Sequence, residues 1–471
     1  MKNIIIHCFH GRNDQKKLLQ KLSFVKPTTL KHNHYSIFAN YKPKYNTKVK
    51  SILKKYRSRN RICLLKSGHA LDGNLRSHLR INSDSEKIQH DENDIPMLKS
   101  DHLTTPNYGN LPTKIASYYN FPTQTSPSSP PKIGIISLGG TYLTTDINTY
   151  WTTYLGRSGT PTLTYVNGIS GSTNAPNQKI KSNDGSDENT LDIEITLGVC
   201  PAAHVTMYFG TNTIVGFYNA IARAISDNNT IISISWGAPE AAFGTSYLNS
   251  YNQLLQLAES HGIAVSVAAG DNGSTDGGST LALDFPSSSP YAISCGGTSI
   301  PSLSSPTETV WSWNAHYGWG SGGGLSNFFK WTRNVSYPAL NSTTPNLNTL
   351  ISTKPRSSPD IALLADPLNG FTIYFNKTLY ISAFGGTSCV APAFSGLLGL
   401  INKTFTTHNP TDLLYLAYTA APTAFKDITT GTNDSLTHGV NVFNARVGYD
   451  QCSGLGSING TLLANYLHAN N

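Results

Sequence analysis

The chain has 471 residues, 38% of them hydrophobic and 13% charged, with 40 glycines, 25 prolines and 24 tyrosines. That length holds one large domain with an appendage, or two ordinary domains, and the composition excludes fibrous and low-complexity classes. No apolar run reaches the ~20 residues that cross a bilayer, so no membrane span is expected.

The start, MKNIIIHCFHGRNDQ, has too few apolar residues for a signal-peptide core, so export by that route is not expected. The net charge of +8 is unevenly divided. Residues 1–100 hold 21 Lys and Arg against 7 Asp and Glu, a balance of +14. The rest of the chain holds 35 less 21, or 14, basic residues and 27 less 7, or 20, acidic ones, a balance of −6. Opposite signs on two parts of one chain point to parts that dock and then separate when carboxylates protonate. A basic arm for nucleic acid or an anionic membrane is the rival reading; docking is preferred, and no nucleic-acid partner is expected. The six cysteines lie far apart without metal-ligand spacing, which argues for neither a zinc site nor a disulfide framework. Eight Asn-x-Ser/Thr triplets are explained as well by composition as by glycan attachment.

In chain order, the basic segment shows a short β-like run, HYSIFANY, and a helical candidate around VKSILKKY. The Pro/Ser run TSPSSPPK at 125–132 continues neither structure type and reads as a linker. KIGIISL is then a short buried strand ending at Gly139-Gly140, and TTDINTYWTTYLG a helix capped by Thr or Asp. ENTLDIEITLGV has helical spacing and stops at Pro201; HVTMYFG is a strand, GFYNAIARAIS a helix and TIISISWG a strand. YNQLLQLAESHG is a helix ending at a glycine cap, followed by the apolar strand IAVSVAAGDNG. Apolar strands alternating with helices argue for a parallel sheet covered on both faces, with active-site loops at the carboxyl ends of its strands.

Three such turns carry chemistry-bearing residues. In ISAFGGTSCVAPAFSGLLGLIN, Ser388 stands at the mouth of an apolar helix behind Gly385-Gly386, and Pro392 falls in the first turn. Helix N-terminal amides there would support a nucleophile and its oxyanion, although for an isolated Gly-Thr-Ser a plain helix cap is the preferred reading. Cys389 reads as a buried structural thiol. In DENTLDIEI, Glu188 and Asp192 are four residues apart and share one helical face. Such a pair can hold a proton between its members, the alternative being a solvated acidic face. Asp271 ends an apolar strand between Gly270 and Gly273, where desolvation favours its neutral, hydrogen-donating form; an Asx turn is the alternative.

Together these stretches resemble the sedolisin family, the serine-carboxyl peptidases, over roughly residues 105–470. The motifs in order are the Gly139-to-Tyr150 region, ENTLDIE at 188–194, ISISWG at 232–237, AAGDNGSTDG at 268–277, DFPSSSPY at 284–291, SGGGLS at 321–326, SPDIA at 358–362 and GGTSCVAP at 385–392. The resemblance implies an α/β, subtilisin-like fold: a mostly parallel central sheet with helices on both faces, preceded by a small α+β basic prosegment. It divides the chain into a prosegment at 1–100, an entry segment and linker at 101–132, and a peptidase domain at 133–471. It implies Ser388 as nucleophile, Glu188 as general base, Asp192 as its support and Asp271 as the oxyanion donor. An ordinary subtilisin would carry a histidine base and typically an asparagine at the Asp271 position, and neither is present. A carboxylate base suits acid conditions, so an acid-active endopeptidase made as a proenzyme is expected, with a tripeptidyl exopeptidase or an inactive structural homologue as alternatives.

The substrate is expected to be a polypeptide lying along Trp236, Gly237, Gly322, Gly323 and Gly324, and the prosegment an intramolecular inhibitor. The resemblance further implies one Ca²⁺, held by the carboxylates of Asp427 and Asp450 and carbonyls of Ile428, Arg446 and Gly448, an oxygen-only set suited to a hard cation. A monomer acting in an acidic compartment or outside the cell is expected. Ser137 stands where some relatives carry a glutamate behind the catalytic carboxylates, which is expected to move the pH optimum without abolishing catalysis.

Overall fold

Runs of β-branched and apolar residues between helical segments build the sheet that the alternation predicts. The structure is a computed structural model. It describes strands at 2–8, 29–32, 36–41 and 62–65, and residues 108–470 apart from 124–128, 182–183, 313–318, 332–354, 403–404, 406–409 and 435–442. The helical candidate VKSILKKY and the first half of the Pro/Ser linker lie outside the described residues. The chain divides into two compact units, one of Met1–Gly73 with Leu79–Pro106, the other of Asn74–His78 with Asn107–Asn471.

In the first unit, β1 (Lys2–Cys8), β2 (Thr29–His32), β3 (Ser36–Tyr41) and β4 (Ile62–Leu65) form an antiparallel sheet in the order β2-β3-β1-β4. The HYSIFANY run supplies β3.

The second unit is built on β5 (Lys132–Ser137), β6 (Leu163–Val166), β7 (His204–Phe209), β8 (Ile231–Ile234), β10 (Ala264–Ala268), β12 (Ile293–Ser299), β13 (Thr309–Val310) and β16 (Ile361–Leu364). Their order is β13-β12-β10-β8-β5-β7-β6, with β16 also on β12. All pairings are parallel except that of β12 with β13. Every residue of β8 and β10 is buried, as strands covered on both faces require. Smaller antiparallel pairs flank this sheet: β9 (Ala238–Pro239) with β11 (Asp284–Phe285), β14 (Gly324–Lys330) with β15 (Pro355–Ser358), and the hairpin of β17 (Phe371–Phe375) and β18 (Thr378–Phe384). Among the described residues no helix is long and apolar enough to cross a membrane.

The expected helices appear as α1 (Ser186–Val199), α2 (Ile214–Ser226), α3 (Thr245–Ser260) and α4 (Val390–Ile401). Thr213 caps α2 by accepting from the Gly216 amide at 3.0 Å. The Thr144–Thr149 helix differs from expectation. Its N-cap is Leu143, with no side-chain cap, and it runs into a π turn at Tyr150–Tyr154. Asp146, which reads as a cap in the sequence, instead accepts from the Lys377 amide at 3.2 Å.

The helix α1 is buried at every position except Asp187. It packs along α4 because Gly396 faces it: a Cβ there would lie 2.7 Å from Val199 Cβ. Glu194 Oε2 accepts from the Tyr374 amide at 2.8 Å, so Glu194 and Asp146 together hold the β17–β18 hairpin, which runs directly into Gly385-Gly386. Behind the sheet, Arg356 makes a two-pronged ion pair with Asp360, both contacts 2.6 Å and both side chains wholly buried. Tyr415 Oη and the Ser294 amide donate to the same carboxylate at 2.7 Å each.

Two stability predictions follow from these buried charges. Arg356→Met leaves the Asp360 carboxylate buried without its cation, and is expected to cost about 3–5 kcal/mol, measured as a lowered denaturant midpoint. Burial holds the Glu194 carboxyl well above the usual carboxylate range, the Tyr374 amide opposing and nearby Asp146 reinforcing the rise. Stability from such a group is fully present below its unfolded value and is lost as pH rises through the folded one. Glu194→Gln, neutral at every pH, is expected to flatten the fall in unfolding midpoint between about pH 4.5 and the neutral range.

Candidate active site

Two loops leave the same end of the parallel sheet, 235–237 after β8 and 269–271 after β10; a third segment, the turn that carries Ser388, reaches them from the β17–β18 hairpin. A fourth, Gly139-Gly140 after β5, seats the start of α1. There Asn189 Nδ2 donates to Gly139 O at 2.8 Å, and Ser186 Oγ accepts from the Thr141 amide at 3.0 Å. Ser137 ends β5 wholly buried, its hydroxyl donating to Gly139 O at 2.9 Å.

Ser388 lies in the tight Thr387–Cys389 turn leading into α4, with no exposed surface. Its Oγ makes no hydrogen bond to a described residue. Gly386 (φ 101°) precedes it in a conformation that favours glycine, and a Cβ at that position would lie 2.7 Å from Asp271 Oδ2. The Asp271 carboxylate therefore sits directly against the Ser388 turn. Thr387 fixes it, donating to Oδ1 through its amide at 2.7 Å and its hydroxyl at 2.8 Å, while the Thr387 hydroxyl accepts from the Gly270 amide at 3.1 Å. A bare Asx turn does not describe this arrangement.

Glu188 and Asp192 are 5% and 0% exposed, which removes the solvated-face alternative. Burial pushes the Asp192 carboxyl well above the usual range, and a 2.7 Å hydrogen bond from Ser235 Oγ to Oδ1 partly offsets this. The same Ser235 oxygen lies 3.3 Å from Ser388 O. Cys389 shows how tightly the acids converge: burial raises its thiol pKa most, and Glu188, Asp271 and Asp192 each raise it further. A thiol so held stays protonated and packs, as its apolar helix position suggests.

Ser235 and Thr387 are the residues that sequence reasoning missed as site components. Both are small hydroxyl residues in a chain full of them, and only their partners single them out.

Trp236 is buried with its ring edge on Gly185, at the start of α1. Gly237 leaves room for Asp284, whose Oδ1 a Cβ would strike. Asp284 is itself buried, its carboxyl raised by desolvation and then by Asp276, Asp271 and Glu240. Gly322 and Gly323 are buried against Ala269 O and Gln451 O, and the Gly322 amide donates to Gly270 O at 2.7 Å. Gly324 opens β14 with φ 148°.

The remaining candidates gather away from this cluster, around the 446–450 turn. The Gly448 amide donates to Asp427 Oδ2 at 2.8 Å and the Arg446 amide to Asp450 Oδ2 at 3.0 Å. Both carboxyls are raised by burial, and both raise the nearby Tyr418 phenol after burial itself. The carbonyl oxygens of Ile428 and Gly448 accept no backbone hydrogen bond among the described residues. Buried Asp450 and exposed Asp427, with open carbonyls nearby, make an oxygen donor set that fits a hard cation. No cluster of three or more His, Cys, Asp or Glu is present among the described residues, so carbonyls would supply the rest of such a site.

A family model described as the subtilase family matches residues 165–449. Kumamolisin from Bacillus sp. (strain MN-32) is 36% identical over 360 residues, which are 74% of this chain and 61% of that protein. Sedolisin from Pseudomonas sp. (strain 101) is 28% identical over 379 residues, again 74% and 61%. Tripeptidyl-peptidase sed1 of Aspergillus fumigatus is 30% identical over 290 residues, 52% of this chain and 42% of its own. The chain thus spans 61% of the length of the first two relatives. A solved structure of Pseudomonas sedolisin, titled a serine-carboxyl proteinase complexed with two molecules of pseudo-iodotyrostatin, matches with a TM-score of 0.61 at 26% identity, over 77% of this chain and 98% of that one. With acids at Glu188, Asp192 and Asp271 gathered on the Ser388 turn, these matches place the chain in the subtilase family, within its sedolisin branch of serine-carboxyl peptidases.

Proposed function

We propose that the protein is an acid-active serine-carboxyl endopeptidase made as a proenzyme. The observation that carries this reading is the convergence of three buried acids on a buried serine whose hydroxyl makes no hydrogen bond among the described residues. Glu188 takes the Ser388 proton as Oγ attacks the peptide carbonyl, and returns it to the leaving amine. Asp192 shares the burden of the proton behind it. Asp271 holds its Oδ1 in the two bonds from Thr387, which leaves Oδ2 to carry a proton and donate to the oxyanion. Water then resolves the acyl-enzyme.

Trp236, Gly237 and Gly322–Gly324 are the proposed walls for an extended polypeptide. The basic segment at 1–100, opposite in charge to the rest of the chain, is the proposed inhibitory prosegment, released as carboxylates protonate. Asp427 and Asp450, with the Ile428, Arg446 and Gly448 carbonyls, would hold one Ca²⁺, whose part is to pin the 446–450 turn to the body of the domain. The similarity to tripeptidyl-peptidase sed1 favours a second reading, in which tripeptides are removed from free N-termini.

Purified protein brought to about pH 4 is expected to shed its N-terminal segment and then cleave denatured protein at internal bonds. Ser388→Ala and Glu188→Gln are each expected to lower that activity on the order of 10⁴-fold. Activity that survives Ser388→Ala would sink the nucleophile assignment, products confined to N-terminal tripeptides would select the exopeptidase, and a protein inert at every pH would leave a structural role. For the ion, calcium added to chelated protein at about 100 times its dissociation constant is expected to stabilise by about 2.7 kcal/mol. Asp450→Asn is expected to abolish that calcium-dependent rise in Tm.

A further inference from the structure

The carboxylate helix and the nucleophile's turn are joined by one side chain outside the four proposed catalytic positions. Ser235 follows β8 immediately and has no exposed surface. Its Oγ donates to Asp192 Oδ1 at 2.7 Å and sits 3.3 Å from Ser388 O. A hydroxyl carries a single hydrogen, so Ser235 can serve only one of these acceptors at a time. The shorter contact has the length of a strong bond to a carboxylate, the longer one that of a weak bond awaiting its hydrogen.

We propose that Ser235 is a positioning residue that ties the protonation of Asp192 to the seating of Ser388. With Asp192 ionised, the Ser235 hydrogen stays on Oδ1. When Oδ1 takes up a proton, the new O–H donates to Ser235 Oγ, and Ser235 turns its own hydrogen to Ser388 O. The balance is one proton gained by Asp192 and no covalent bond otherwise changed: the Asp192–Ser235 hydrogen bond reverses direction, and one from Ser235 to Ser388 O forms. The backbone of the nucleophile thereby registers whether Asp192 is charged.

The titratable surroundings limit what else can drive the reversal. On α1 itself Glu188 lies beside Asp192, while Glu194 is turned to the Tyr374 amide of β17 with Asp146 beyond it. The protonated Cys389 thiol, on the Ser388 turn, is near enough to Asp192, Glu188 and Asp271 for each to raise its pKa. Arg157 reaches only the far end of α1, at the Leu197 and Gly198 carbonyls. Asp192 is therefore the acid in direct hydrogen-bond contact with Ser235, and desolvation already disposes it to take up a proton.

This inference rests on Ser388 being the nucleophile, and the test separates the two. The pH profile of kcat/KM is measured on denatured protein or a chromogenic peptide for wild type, Ser235→Ala, Ser235→Thr and Ser388→Ala. Losing a hydrogen bond that favours ionised Asp192 raises its apparent pKa, so Ser235→Ala is expected to move the acid limb to higher pH by about one unit. It should also lower kcat roughly 10-fold with KM within about twofold, and Ser235→Thr, which keeps the hydroxyl, should restore the wild-type limb. The limb's position does not depend on how much of a variant is folded. An active wild type and a dead Ser388→Ala, with the Ser235→Ala limb unmoved or the Ser235→Thr limb displaced as far as that of Ser235→Ala, overturns this inference alone. Activity that persists in Ser388→Ala overturns the reading beneath it, and this inference with it.

Discussion

A helix that carries three buried carboxylates and has almost no wet face is the constraint on which the rest of this structure turns. Glu188, Asp192 and Glu194 are all buried on α1, where charge is expensive and a proton or a hydrogen-bond donor is the remedy. Each acid for which a partner is seen is matched differently. Asp192 receives the Ser235 hydroxyl, and Glu194 receives a backbone amide from the hairpin that leads to the Ser388 turn. Burial thus inclines Asp192 and Glu194 toward their protonated forms.

The second half of the site is organised by close approach instead of charge. The glycine on α4 lets it lie along α1, and glycine at 386 lets Asp271 press on the turn before Ser388. Thr387 then locks that carboxylate from two directions. Parallel strands β8 and β10 deliver Ser235 and Asp271 from neighbouring positions in the sheet, so the cluster inherits the rigidity of a layer buried on both faces. The calcium candidates stand apart, around one turn, where two carboxylates raised by burial fit a cation by donor chemistry.

Legibility followed the range of the interaction. The alternation of apolar strands and helices, the glycine cap after α3 and the Thr213 cap of α2 are local matters, and the residues within a few positions decide them. The Thr144–Thr149 helix went otherwise because Asp146 is drawn to the tip of a hairpin 231 residues away. The first strand, β1, sits in a stretch read only for targeting signals. Ser235 and Thr387 were invisible for a different reason: serine and threonine are common in this chain, and nothing near them in sequence marks a buried acceptor.

By itself the sequence determined the fold class, the family likeness and the identities of Ser388, Glu188, Asp192 and Asp271 as candidates, because periodicity, glycine turns and ordered motifs are written along the chain. It left each of those residues with a bland alternative. Only the tertiary structure decided that the acidic face of α1 is dry, that Asp271 lies against the Ser388 turn and that Ser235 joins Asp192 to Ser388. Burial and long-range contact depend on what the rest of the chain brings alongside, and no local pattern encodes that.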